Sequence, residues 1–340
     1  MNNVTLYAVT VLVWGSTWLV INFQLGVVAP EVSVVYRYAI ASLLLFGWAL
    51  ARGLNLRFGL MAHLRFLLLG IFLFSFNYIT TYSAQQYIPS ALNAVVFSTM
   101  MWMNVFNTRL FFKTHIEPGV FVGAAMGLAG VVILFWPNVS VLSLSDRTLL
   151  GAGMSFSGAL LASLGNMVSH ASQREGLPIV QSNAWGMFYG TLITALVAVR
   201  QDLPFNFEFS AEYIASLLYL AVFGSIVAFG SYLKLLGRIG PHKAGYAMVM
   251  FPVVAVFLAV LFEGLAIEAH IVAGIGLVLA GNLAILGLAS LRKGLQGLFI
   301  RLAAGASGGW RRHFNRAELA VLMTLLFERK VLKERPCENC

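Results

Sequence analysis

Shifted by 151 residues, the chain matches its own second half: Glu117, Gly123 and Gly130 fall on Glu268, Gly274 and Gly281. The surrounding text agrees, EPGVFVGAAMGLAGVVIL against EAHIVAGIGLVLAGNLAIL. Upstream, Pro30 matches Pro178 at an offset of 148, and Ile88-Pro89 sits opposite Ile239-Gly240-Pro241. Each half holds five apolar stretches long enough to cross a bilayer. An odd number of crossings forces the second copy to enter the membrane upside down relative to the first. Inverted repeats of this kind are characteristic of secondary transporters.

Composition supports a membrane chain. Of its residues 59% are apolar and 10% charged, with a mean hydropathy of +0.84. A soluble fold cannot hide that much apolar surface, whereas a bundle bathed in lipid can. The apolar runs are 4–22, 30–51, 64–82, 90–111, 118–136, 149–169, 178–199, 213–234, 243–262 and 269–290. Most approach the roughly 20 residues a helix needs to span the hydrocarbon. Barrel strands alternate with period two and are about half that length, so they are excluded. The expected fold is an all-α polytopic membrane protein with ten transmembrane helices, built as two inverted five-helix repeats. The repeats occupy residues 1–137 and 149–290, and a basic cytoplasmic tail covers 291–340. The first run lacks the basic flank and cleavage site of a signal peptide, so it reads as a retained span.

Loop charges give the orientation. With the N-terminus inside, the inner loops hold Arg52, Arg57, Arg65, Arg109, Lys113, Arg174, Lys234, Arg238, Lys243, Arg292 and Lys293, and the outer ones only Arg147 and Arg200. Positive residues stay inside, so both termini are expected in the cytoplasm. The net charge of +9 therefore reads as topology plus a basic tail and gives no nucleic-acid signature.

Several motifs resemble the drug/metabolite transporter superfamily in its ten-helix EamA-type form. Trp14-Gly15-Ser16-Thr17-Trp18 looks like its WGS motif, and Tyr36-Arg37-Tyr38 followed by Ala41 is similar to its second-span Arg pattern. Pro89 with Ala94, Pro241 with Ala247, Phe251-Pro252-Val253 and Phe262-Glu263-Gly264 resemble the ends of its repeat units. The repeats have diverged, with Met101-Trp102 opposite Pro252-Val253 and Phe112-Lys113 opposite Glu263-Gly264. The resemblance covers residues 4–290. It implies a bacterial inner-membrane exporter of small metabolites, often amino acids, which works by alternating access as one half rocks against the other. The aromatic content is most similar to the aromatic amino-acid exporter branch. A broad drug or lipid-linked carrier is the alternative. A membrane-embedded enzyme is the distant one, since no intramembrane His/Asp/Glu constellation is visible.

The family fold implies a midplane cavity lined by spans 1, 3, 4, 6, 8 and 9. The candidate substrate-binding residues there are Trp14, Ser16, Trp18, Asn77, Tyr78, Tyr82, Asn93, Ser98, Trp102, Asn166, Tyr232 and Tyr246. Amides and hydroxyls suit a polar head, and aromatic faces suit a ligand body. The same residue types also join neighbouring helices or form interface belts. Tyr78 and Trp102 are the foremost candidates. Arg37 and Pro252 are candidates for gate or hinge. Arg37 lies close enough to the outer surface for a structural role, snorkelling to headgroups or capping carbonyls, and that reading is preferred to a carboxylate site. Pro252 frees a carbonyl in mid-span. No Asp or Glu falls mid-span, which points to a facilitator or exchanger and away from a proton-driven carrier. Gly119, Gly123, Gly127, Gly274 and Gly281 form small faces for close helix packing within the chain. No cofactor or metal is implied, and Cys337 and Cys340 alone are no zinc site. The partners expected are a small-molecule substrate and the lipid bilayer, with no nucleic acid and no oligomer required.

Overall fold

Hydrocarbon offers no partner for a free N–H or C=O, so a chain this apolar closes its backbone hydrogen bonds inside helices. The computed structural model describes residues 1–88, 90–137, 146–262 and 267–286, and among these there is no strand. Six helices are long and apolar enough to cross a membrane: spans 1 (Asn3–Asn22), 2 (Pro30–Ala51), 3 (Leu60–Ala84), 6 (Asp146–Arg174), 7 (Ile179–Arg200) and 8 (Ala211–Ile239). Spans 5 (Pro118–Leu134) and 10 (Ala269–Leu286) are shorter. Span 4 breaks at Ser98-Thr99 into Ser90–Phe97 and Met100–Phe112. A single turn, Pro241–Ala244, precedes span 9 (Ala247–Phe262). The protein is an all-α polytopic membrane protein of ten spans in two inverted repeats.

Local chemistry sets the helix ends. The Asn2 side chain accepts from the Thr5 N–H and Ser210 from the Tyr213 N–H, each satisfying an orphan donor of a first turn. Pro30 and Pro118 occupy first positions, where a missing N–H costs nothing. Spans 3, 6 and 8 outrun the apolar windows 64–82, 149–169 and 213–234, because helical hydrogen bonding continues past the last lipid-facing residue. The basic tail, Pro89, Glu263 and Gly264 lie outside the described residues.

The repeat extends to details the text does not show. Spans 2 and 7 both end in a left-handed residue, Gly53 (φ 63) and Asp202 (φ 51). In each case the following leucine closes the cap, Leu54 N–H to Ala49 O at 2.9 Å and Leu203 N–H to Ala198 O at 3.0 Å. Spans 3 and 8 both contain a wide π-helical stretch, Gly70–Ser75 and Leu220–Val227, in corresponding positions.

The principal helix packing joins one repeat to the other. Span 2 lies along span 7, and span 5 along span 10. Span 1 packs on spans 8 and 9, just as its counterpart, span 6, packs on spans 3 and 4. This is the pairing a pseudo-two-fold axis requires. Among the described residues the two sequence halves thus meet along the 2–7 and 5–10 seams. Glycines let the second seam close. A methyl on Gly130 would sit 2.8 Å from Gly274 O, and one on Gly123 would sit 2.5 Å from Gly281 O.

In the turn between spans 8 and 9, burial pushes His242 down from 6.5 to about 4, with Lys243 adding to the fall and Glu117 opposing it. Between those values the unfolded chain takes up a proton that the folded chain refuses. Stability therefore declines as pH drops from 6.5 toward 4 and levels off below. His242→Gln is expected to flatten that part of a melting-temperature profile in detergent.

Candidate functional site

Side chains at helical spacing on six spans, with Arg37 from span 2, enclose a cavity of ≈ 70 Å³. Trp14, Thr17, Trp18 and Ile21 line it from one face of span 1, at positions i, i+3, i+4 and i+7. Span 3 gives Leu73, Asn77, Tyr78 and Thr81. Phe97 and Met100 flank the break in span 4. Ala162 and Asn166 come from span 6, Phe229 and Tyr232 from span 8, and Met248 and Phe251 from span 9.

The π-helical stretch of span 8 sets the middle of this space. Gly224 lies in it, and its carbonyl accepts from Trp14 Nε1 at 2.9 Å. That bond fixes an indole whose ring packs on Phe229, Tyr232 and Phe251, with centroids 4.8, 5.0 and 5.7 Å away. Gly224 also makes room for Arg37, since a methyl there would stand 3.0 Å from Nη2.

Arg37 is 2% exposed. Its Nε donates to Ser225 Oγ at 2.9 Å and Nη1 to Tyr82 OH at 3.1 Å. The guanidinium lies over the rings of Tyr78 (4.8 Å) and Tyr38 (5.4 Å). It neither snorkels nor caps a carbonyl, which overturns the expectation drawn from its depth: the chain folds it inward against aromatic faces. Among the described residues no carboxylate pairs with it. Of its five N–H donors two are committed among the described residues, and no described Asp or Glu lines the cavity. The chamber is thus electropositive, apolar-walled and suited to an anionic group.

A second polar pole lies at Asn166. Its Nδ2 donates to Tyr232 OH at 3.0 Å and to Asn104 Oδ1 at 3.2 Å, while its own Oδ1 is buried without a partner among the described residues. Buried unsatisfied amides are costly and therefore uncommon.

The structure gathers Trp14, Trp18, Arg37, Asn77, Tyr78, Asn166 and Tyr232 around one space. It places Tyr82 just behind, on Arg37. The other candidates sit elsewhere. Ser16 lies outside the lining, its Oγ donating to Val13 O at 2.7 Å and hydrogen-bonded with Tyr219 OH at 2.6 Å. Asn93 ties span 4 to Thr81 O at 2.9 Å, and Ser98 donates to Val95 O at 2.6 Å beside the helix break. Trp102 packs on Phe106 and Phe121, outside the cavity. Tyr246 donates to Val278 O at 2.8 Å in the seam of spans 5 and 10. Pro252 is buried next to Phe251. Sequence reasoning passed over Thr17 and Ile21, although both share the helical face of Trp14 and Trp18. It also passed over Phe97, Phe229 and Met248, whose apolar text matches the lipid-facing residues around them.

The comparisons with known proteins bear on the whole chain. The model of the EamA-like transporter family matches twice, over residues 2–136 and 149–287. The chain belongs to the EamA-like transporter family. Its relatives include the uncharacterized inner membrane transporter YedA of Escherichia coli K12, 30% identical over 73% of this chain and 78% of that protein. The uncharacterized transporter YoaV of Bacillus subtilis is 24% identical over 79% of this chain and 91% of its own length. Protein PagO of Salmonella typhimurium is 23% identical over 78% and 86%. A solved crystal structure of a protein superposes with a TM-score of 0.71 at 19% identity, covering 85% of this chain and 98% of that one. At that identity it speaks for the fold alone. The EamA-like chain is a multi-pass inner-membrane transporter.

Proposed function

We propose that this transporter exports or exchanges small amino acid-like metabolites, aromatic and other apolar side chains foremost, by alternating access around the cavity. One observation carries the reading: Arg37 is buried in an aromatic-walled space with no carboxylate partner among the described residues. A buried charge left unpaired is expensive, and a substrate carboxylate supplies the missing counter-charge through a forked hydrogen bond. Trp14, Tyr78, Phe229 and Phe251 then pack on the side chain, and the Asn166 carbonyl oxygen is an acceptor for an ammonium group. The same Arg37 repels lipophilic cations, which weighs against a general cationic-drug exporter. A lipid-linked carrier remains the alternative, and intramembrane enzymology the distant one.

The space holds only several waters, so binding needs the walls to part. Trp18, Tyr78 and Phe97 are the partly exposed members of the lining. Alternating access, with one repeat rocking against the other, is the proposed way in which the walls part. Contacts also collect the basic ends on one face: Arg65 pairs with Glu175, Lys243 with Glu117, and Arg238 donates to Met1 O. We assign that face, with the N-terminus and the tail after residue 290, to the cytoplasm. With no carboxylate lining the chamber among the described residues, transport is read as facilitation or exchange.

The test is efflux from proteoliposomes preloaded with a panel of radiolabelled amino acids, comparing wild type, Trp14→Ala and Trp102→Ala. Saturable efflux of aromatic substrates is expected, reduced about 10–100-fold by Trp14→Ala from lost ring packing and within about twofold of wild type in Trp102→Ala. No efflux of any amino acid would end the amino-acid reading, and an internal pH change tracking flux would end the uncoupled one.

A further inference from the structure

On the basic face, a second cavity of ≈ 320 Å³ opens where spans 6, 7 and 8 end. Arg174 from span 6 and Lys234 and Arg238 from span 8 line it together with His170. The neighbouring acids are committed elsewhere, Glu175 to Arg65 and Glu117 to Lys243. Among the described residues no carboxylate pairs with any of the three cations. Two of them are held in place by the protein. Arg238 Nη1 donates to Met1 O at 3.0 Å and to Asn3 Oδ1 at 3.1 Å, and the Arg174 guanidinium lies 5.7 Å over the Phe112 ring. His170 packs edge-on to the same ring at 4.9 Å, and its Nδ1 is buried without a partner among the described residues.

The pocket is also braced. Gln173 Nε2 donates to Leu233 O at 2.9 Å and to Ser169 Oγ at 3.2 Å, tying span 6 to span 8 beside it. A topogenic charge needs only to lie on the correct side of the membrane and has no use for a braced cavity. Three like charges around one concavity repel unless an anion sits between them.

We propose that this pocket binds a phosphate group, presented by an anionic phospholipid of the leaflet it faces. Its position at the ends of membrane-spanning helices favours a lipid over a soluble donor, and clustered cations between transmembrane helices suit anionic headgroups. The lipid would clamp spans 6 and 8, both of which line the substrate cavity. The binding claim does not rest on the transport reading.

The experiment uses the delipidated full-length chain in detergent, titrated with phosphatidylglycerol, with zwitterionic phosphatidylethanolamine and with inorganic phosphate, and read by native mass spectrometry. Phosphatidylglycerol is expected to bind the wild type in preference to phosphatidylethanolamine. The combined variant Arg174→Gln, Lys234→Gln and Arg238→Gln should weaken it about a hundredfold, from about 1 kcal/mol per bound cation. Single Lys234→Gln, at an exposed position, should cost about fivefold by the same rule and keeps the test open if the combined variant fails to fold. Arg52→Gln and Arg57→Gln together remove charge from the same face without altering the pocket lining and should change binding less than about threefold, since screening weakens charges outside the pocket. Equal losses in both combined variants would mean a diffuse surface field and overturn the pocket. Inorganic phosphate binding with the same residue dependence, without lipid binding, would keep the phosphate chemistry and overturn the lipid source.

Discussion

Arg37→Met is expected to abolish substrate-competed efflux while leaving the melting temperature unchanged or raised. The two effects separate because of what the side chain does in the fold. Its charge is 2% exposed, with neutral hydroxyls and ring faces as its only partners among the described residues. Desolvation of such a charge costs several kcal/mol that those partners offset only in part. An apolar side chain of similar length removes that cost, and Ser225 Oγ keeps its own bond to Leu220 O at 3.0 Å. A bound carboxylate, by contrast, loses hydrogen bonds to a charged partner, about 1.5–3 kcal/mol each. Two of them amount to a rise in half-saturation of at least about a hundredfold. Thermal unfolding and efflux measured on one preparation decide the matter. Lower stability with transport intact would make Arg37 a structural strut and leave the cavity without its carboxylate partner.

Gly281→Ala is expected to be strongly destabilising for a change of one methyl group. The added carbon would stand 2.6 Å from Gly123 O and 3.0 Å from Gly127 N, both backbone atoms, and would also strike the Tyr246 hydroxyl. Backbone cannot swing aside, so spans 5 and 10 must separate along their length. Overpacking of this kind costs about 1–3 kcal/mol, or several degrees in melting temperature. Gly276→Ala on the same helix, where a methyl would meet nothing within 4 Å, should be neutral. A fluorescence-detected melt of both variants in detergent checks the contrast. A stable Gly281→Ala protein would show that the seam has slack.

Arg37 and Trp102 show how far the site was legible in the text. Both are large side chains set within spans, and depth along a helix is readable from sequence. Direction around the bundle is not, because it depends on which partner helix lies on each side. Trp102 turns toward Phe106 and Phe121, whereas Arg37 turns inward, since Gly224 on span 8 leaves space for a guanidinium. Trp14 and Trp18 were easier, because their i, i+4 spacing already defined a face that Thr17 and Ile21 share. The break at Ser98-Thr99 carries no Gly or Pro signal and went unread.

Sequence by itself determined that the chain is helical, crosses the membrane many times and repeats with inverted sense. Hydropathy, repeat offset and loop charge are properties of the text, and lipid allows few ways to satisfy a backbone. Only the tertiary structure decided that the repeats interleave, that wide helical turns at Gly70–Ser75 and Leu220–Val227 face each other's repeat, and that seven of the polar and aromatic candidates share one chamber. Those outcomes depend on contacts between residues often more than a hundred positions apart. Closeness of that kind is set by packing, which no local pattern along the chain records.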